Sequence, residues 1–238
     1  MRTLVLWDID HTLIDAGEVS KGIYAKAFQR ITGRVLEQVA DMAGRTEWEI
    51  MAETLSLHGV EADDELLKKF GAALAAEFTA SEPGIRAQGR PLPGARDVLA
   101  ELVTRPEVVQ SVLTGNMEPI AISKLTIFEL AEYVDFSVGA YGLDHSDRAE
   151  LVHLARERAT NSYGETFTPA NTVLVGDTPN DVRAGHEGGA RVVAVATGSS
   201  DRSALRQAGA EDVLDDLTDV PAAVRAILGT ATSHGDLG

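Results

Sequence analysis

The sequence predicts an α/β fold: a Rossmann-like, doubly wound parallel sheet core with a small all-helical domain inserted after its first strand. Three observations lead there. Short aliphatic runs alternate with amphipathic helical patterns, which is how strand–helix–strand units and a parallel sheet read in sequence. The runs are near-continuous in Val, Leu and Ala, as strands buried on both faces require. The alternation also breaks once, from about Gly17 to about Gln88, where only helical patterns occur.

Taken in order, the first strand is "TLVLWDI", starting at Thr3. The inserted block follows. "VSKGIYAKAFQRITG", "EWEIMAETLSLHG" and "DDELLKKFGAALAAEFTA" place apolar residues at helical spacing, and Gly closes the first two. "SEPGIRAQGRPLPG" reads as a linker or hinge back to the main domain, marked by Pro and Gly. The main domain then alternates: helical "GARDVLAELVT", strand "VVQSVLTG", helical "MEPIAISKLTIFELAEY", strand "VDFSVGAY", helical "RAELVHLARERAT" and strand "NTVLVGD". Helical "PNDVRAGHEGG", strand "ARVVAVATG", helical "DRSALRQAG" and a short strand in "EDVLDD" complete it. The expected organisation is a core of residues 1–16 and 89–230, an inserted domain of 17–88 and a tail of 231–238. The terminal "GTATSHGDLG" has too little apolar content to pack.

A length of 238 residues suits one sizeable domain with an insertion. With 44% hydrophobic residues, 24% charged residues and a mean hydropathy of -0.04, the composition is that of a globular chain. There is no cysteine, which excludes disulfides, thiolate zinc sites and a cysteine nucleophile. The histidines are scattered without zinc spacing. A net charge of -16, from 37 acidic and 21 basic residues, argues against nucleic acid and anionic membrane as partners. It leaves room for a small anionic substrate at a local positive site made by a metal, a lysine or helix N-termini. No secretory pattern opens the chain and no apolar run is long enough to span a bilayer, so the expected compartment is the cytoplasm.

Asp8 and Asp10, in "DIDHT", are like charges at the mouth of an apolar strand. That pair is costly unless a cation sits there or one carboxyl keeps its proton. "LTGN" and "GDTPND" fall at the ends of two other strands. In an open parallel sheet ligands bind beyond those carboxyl ends. Asp8, Asp10, Thr114, Asn116, Asp177 and Asp181 would therefore gather around one crevice. Several carboxylates without an obvious cluster of basic partners call for a hard divalent cation, and Mg2+ is the natural candidate. Plainer roles compete: Thr114 and Asn116 as caps of the next helix, and Asp177 and Asp181 as caps with Pro179 near a first helical turn. His11 sits between the key residues without a pattern that makes it a ligand.

In this order, "DIDHT", "LTGN", a downstream lysine and "GDTPND" resemble the four motifs of the haloacid dehalogenase-like hydrolases, over nearly the whole chain. The resemblance is strongest to the phosphoglycolate phosphatase-like group, whose α-helical cap the inserted block matches. It implies Asp8 as nucleophile, forming an aspartyl-phosphate, and Asp10 as general acid and base. It implies magnesium held by Asp8, the Asp10 backbone carbonyl and Asp177, with Asp181 holding a metal-bound water or orienting its neighbours. Thr114 and the Gly115 N–H would grip the phosphoryl oxygens, with Asn116 beside them. Lys124, in "ISKLTIF", is the expected phosphoryl-stabilising cation; its competitor is Arg148 in "DHSDRAE", where many relatives carry a lysine.

Substrate choice is expected from the cap, where Gly44-Arg45-Thr46 would project over the crevice. Arg45 is the candidate contact for a carboxylate or second phosphate, with Lys21 and Lys26 behind it. The segments Asp15–Gly17 and Gly89–Gly94 would be hinges that let the cap close. The implied activity is magnesium-dependent hydrolysis of a small phosphomonoester: phosphoglycolate-like, a sugar phosphate or a nucleotide. The enzyme would be a monomer or homodimer. The alternatives are a phosphomutase of the same family, or a catalytically silent protein that binds a phosphometabolite. Dehalogenation is disfavoured, because the dehalogenases lack the second aspartate that is present here as Asp10.

Overall fold

The computed structural model describes residues 2–17 and 19–229. In chain order the strands are β1 (Thr3–Trp7), β2 (Ile14–Asp15), β3 (Arg90–Pro91), β4 (Val108–Val112), β5 (Thr172–Gly176), β6 (Arg191–Val195) and β7 (Asp212–Leu214). The helices are α1 (Ser20–Thr32), α2 (Glu47–Leu57), α3 (Asp64–Gln88), α4 (Ala95–Val103), α5 (Glu118–Ile127), α6 (Arg148–Tyr163), α7 (Pro179–Gly188), α8 (Arg202–Gln207) and α9 (Val220–Leu228). Five strands form one parallel sheet in the order β4-β1-β5-β6-β7, with β1 in register against β4 from Thr3↔Val108 to Trp7↔Val112. No described helix is long and apolar enough to cross a membrane.

The strand sequences explain the layering. Alternate β1 residues point to opposite faces. Val5 and Trp7 join the cluster that contains Leu99 and Val224, while Leu4 and Leu6 join one with Leu151 and Val152. Both faces are covered, which is why the strands show no polar alternation. Trp7 is fully buried and satisfies its indole N–H on Gln110 Oε1 at 3.1 Å.

The helices α1, α2 and α3 occupy the interval between β2 and β3, which pair antiparallel as Ile14↔Pro91 and Asp15↔Arg90. The chain thus leaves for the helical block and returns from it side by side. Gly33 closes α1 in the left-handed region, as the sequence pattern predicts. The block's Phe28, Phe70 and Met51 are fully buried in the same apolar cluster as β1.

Two expectations are corrected. Residues 81–88, expected as linker, form the last turns of α3, which runs through Pro83 to Gln88. An internal proline costs a helix about 3 kcal/mol. Here tertiary contacts hold the turns beyond it: Ile85 is fully buried, its carbonyl accepts from Gly89 N at 2.8 Å, and Arg86 donates to the Ile127 carbonyl. The second correction is "VDFSVGAY", expected as a strand. It is a 3₁₀ turn over Phe136–Val138 followed by one isolated bridge, Leu113↔Ala140. The Asp135 carboxylate accepts from Ser137 N and Oγ, and these local bonds replace a strand ladder. The proposed tail, 231–238, lies outside the described residues.

Candidate active site

The carboxyl ends of the adjacent strands β4, β1 and β5 carry Thr114, Asp8 and Asp177. These residues line one cavity of about 540 Å3 with Asp10, Asn116, Lys124 and Arg148. The helical block supplies the opposite wall, including Tyr24, Glu47, Ile50 and Phe78. Two separate charge networks meet there.

The first surrounds Asp8. Its backbone N–H continues the sheet ladder to Val175 O at 2.9 Å, so β1 fixes where the side chain emerges. Asp8, Asp177 and Asp181 each place a carboxylate oxygen within 4.8 Å of the others, and all three are buried. Thr12 Oγ1 lies between two of them, 3.4 Å from Asp8 Oδ2 and 3.3 Å from Asp177 Oδ1. Arg148, the first residue of α6, is also buried; its Nη2 donates to Asp8 Oδ1 at 2.8 Å and to Asp181 Oδ1 at 2.5 Å. Its Nε is buried without a partner among the described residues. One guanidinium thus faces three carboxylates. Burial, then the neighbouring Asp181 charge, raises Asp8 above the ordinary carboxylate range, and burial and the Asp8 charge raise Asp177. A cluster of hard oxygen donors with surplus negative charge fits a divalent cation.

Asp181 serves two purposes with its two oxygens. Oδ2 accepts from Thr178 N at 3.0 Å and from Thr178 Oγ1 at 2.5 Å, closing a capping box at the start of α7. Oδ1 is left for Arg148. The capping role and the site role therefore coexist in this residue.

The second network surrounds Asp10. Lys124 Nζ donates to both Asp10 oxygens, at 2.8 and 2.6 Å, and to Asn116 Oδ1 at 2.7 Å, which uses all three of its protons. Asn116 Nδ2 donates to Asp10 Oδ2 at 2.7 Å and to Thr114 Oγ1 at 2.8 Å. Burial pushes Asp10 up, but the Lys124 charge and these bonds outweigh it and hold the carboxyl below its ordinary range. Neither Thr114 nor Asn116 caps α5, whose N-cap is Met117 with no side-chain bond. The Thr114 hydroxyl accepts twice, so its proton remains available to a ligand.

The expected residues thus gather at one place, with two redistributions. Lys124 contacts Asp10, and the cation on Asp8 is Arg148. The Asp10 carboxylate stands with Lys124 and outside the group of three close carboxylates. Arg45 lines the cavity, but its guanidinium is taken up by Glu53 Oε2 at 2.6 Å and the Asp41 carbonyl at 3.3 Å. Lys21 lines the cavity as an exposed side chain, and Lys26 does not line it. His11 is exposed in the left-handed region (φ 59°), inside the tight turn that joins β1 to β2.

The loop before α2 meets the core closely. Glu47 N donates to Gly115 O at 2.9 Å and Trp48 N to Gly142 O at 3.1 Å, so the first turn of α2 finds partners for its free N–H groups on core carbonyls. Thr46 Oγ1 donates to Ser146 O, and Asn180 Nδ2 to Ala43 O. A Cβ on Gly115 would stand 1.9 Å from Arg45 O, and one on Gly142 would stand 1.7 Å from Gly115 O. Both positions need glycine for this approach.

Sequence reasoning missed Thr12, buried between Asp8 and Asp177, and two residues of the cavity wall, Glu47 and Tyr24. Thr12 is the last letter of "DIDHT", so a signal was present. Glu47 opens a helix, where an acidic residue ordinarily faces water and favours the dipole. Here it is buried, and Tyr24 Oη donates to its Oε1.

A family model described as haloacid dehalogenase-like hydrolase matches residues 5–195. No curated protein matches the chain. Among solved structures the fold is similar to CbbY from Rhodobacter sphaeroides in complex with phosphate, at TM-score 0.71 and 19% identity, covering 92% of this chain and 96% of that one. It is similar to a predicted phosphoglycolate phosphatase from Haemophilus somnus (TM-score 0.64, 18% identity, 94% and 98% covered). It also resembles a protein from Bacteroides vulgatus assigned as a β-phosphoglucomutase (TM-score 0.65, 19% identity, 95% and 88% covered). These likenesses establish the fold.

Proposed function

The chain belongs to the haloacid dehalogenase-like hydrolases, and from that premise we propose that it is a magnesium-dependent phosphatase of small phosphomonoesters. The observation that carries this reading is the division of labour between Asp8 and Asp10. They line one cavity, yet one joins a cluster of carboxylates and the other a lysine–asparagine network. Two carboxyl groups held in different environments are what separate nucleophilic and acid–base roles need.

The steps follow from those environments. Asp8 attacks phosphorus; the ester P–O bond breaks and an acyl-phosphate forms on Asp8. Asp10 gives a proton to the departing alkoxide, then takes one from the water that attacks the acyl-phosphate, so its protonation is restored each cycle. In the resting network Asp10 is ionised by Lys124; a phosphate dianion drawing Lys124 Nζ to itself would release the carboxyl to be protonated. Arg148 orients Asp8 and lines the cavity as a cation for the phosphoryl group. The Thr114 hydroxyl is a donor for the same group. Asp8, Asp177 and Asp181 would hold magnesium, which would neutralise charge on the transferring phosphoryl group. The helical block of residues 17–88 is read as the cap, and the β2–β3 pair as its hinge.

Phosphate release from a panel of small phosphomonoesters with Mg2+ tests this. Turnover is expected in the wild type and a fall of about 100-fold or more in both Asp8→Asn and Asp10→Asn. Isomerisation of a sugar phosphate without phosphate release would instead favour the mutase. No reaction by the folded wild type would refute the catalytic reading.

A further inference from the structure

The cavity's inner wall on the helical block holds a carboxyl group that the proposed chemistry does not use. Glu47 is 7% exposed and lines the same cavity as Asp8 and Asp10. Two elements fix it. Its backbone N–H is bonded to Gly115 O in the loop after β4, and its Oε1 accepts from Tyr24 Oη on α1. Its Oε2 has no protein partner among the described residues. The charged groups that act on it are Lys124 and Asp10, and Lys124 has all its protons engaged elsewhere.

The cations of this wall are placed differently. Arg45 is paired to Glu53, and Lys21 is an exposed side chain on the first turn of α1. The buried charged group met by a leaving group is therefore an acceptor and an acid. The apolar side chains lining the cavity include Ile50, Leu74 and Phe78 of the block and Ile120 of α5. Ionised Glu47 rejects a substrate carboxylate by like charge and desolvation, whereas a substrate hydroxyl finds a fixed acceptor.

We propose that Glu47, held by Tyr24, is a specificity-determining residue that selects phosphomonoesters with a hydroxyl-bearing neutral leaving group and rejects those bearing a carboxylate. The inference rests on the phosphatase reading and departs from a phosphoglycolate-like substrate.

The test, run at about pH 8.5, where Glu47 has lost its proton, compares kcat/KM for glycerol 3-phosphate and 3-phosphoglycerate, which differ by a hydroxymethyl group in place of a carboxylate, with p-nitrophenyl phosphate alongside. Wild type is expected to prefer glycerol 3-phosphate by about tenfold or more. In Glu47→Gln that preference is expected to shrink at least about fivefold, chiefly because 3-phosphoglycerate improves once the like charge is gone. Tyr24→Phe is expected to shift the ratio in the same direction. Because the readout is a ratio within one preparation, a partly unfolded variant does not change it. A ratio in Glu47→Gln within twofold of wild type, or a wild-type preference for 3-phosphoglycerate, overturns the inference and leaves the phosphatase standing. No release from any of the three esters overturns both.

Discussion

Arg148 and Lys124 show how burial decides what a charge is worth. Arg148 has 7% of its side chain exposed and lies between two buried carboxylates, whereas Lys124 pairs with Asp10, whose side chain is 35% exposed. Removing a buried partner leaves an uncompensated charge, so Arg148→Ala should destabilise the metal-free protein by about 3–5 kcal/mol. Lys124→Met should cost nearer 1 kcal/mol, because water screens the remaining carboxylate. Denaturant titration in chelator measures both, and equal losses would contradict the assignment. Glu47 gives a pH signature. Burial, opposed by the Tyr24 hydrogen bond and the Lys124 charge, pushes its carboxyl from the ordinary 4.5 up to about 7. The folded state therefore keeps its proton in a window where the unfolded chain has lost it. This contribution to stability is present below pH 4.5 and is lost as pH rises through 7. Glu47→Gln should match wild type near pH 4.5 and exceed it by up to about 3 kcal/mol above pH 7. A stability difference that does not change with pH would rule this out. The acidic residues of the site were legible in sequence because strand ends and motif spacing mark them. Glu47 was not, since the first residue of an amphipathic helix shows no sign of which wall it will meet.

At the scale of elements, the decisive contact is between α2 and the core loops at Gly115 and Gly142. Backbone bonds from the first turn of α2 close the wall over the cavity, and the carbonyl of Gly115 is reached because Gly142 has no side chain. Gly142→Ala would push its Cβ to 1.7 Å from that carbonyl, so α2 must retreat. The expected result is a KM raised about tenfold or more with the core still folded, and faster proteolysis in residues 89–94. Unchanged KM and cleavage would show that the docking does not matter for binding. The parallel sheet and the helical block were readable from periodicity alone. The end of α3 and the 134–141 segment were not. Pro83 and Gly84 signal a break that the burial of Ile85 overrides, and the aliphatic look of "VDFSVGAY" hides the Asp135 turn that folds it.

For the whole molecule, a chain of net charge -16 concentrates its buried cations, Lys124 and Arg148, at one cavity. Buried carboxylates still outnumber them there, so a bound divalent cation would be what makes the cavity attractive to a small anion. The fold places Asp8 at the end of β1, between β4 and β5, where it joins the Arg148 network and shares the cavity with the Asp10 network. The account stands or falls on Asp8 carrying the phosphoryl group. The direct measurement is rapid quenching of the Asp10→Asn variant with p-nitrophenyl phosphate, whose leaving group needs no proton, followed by borohydride reduction and peptide mass analysis. The acyl-phosphate should be reduced to homoserine at position 8 and nowhere else. Homoserine at another aspartate, or turnover with no reducible intermediate at position 8, would contradict the mechanism.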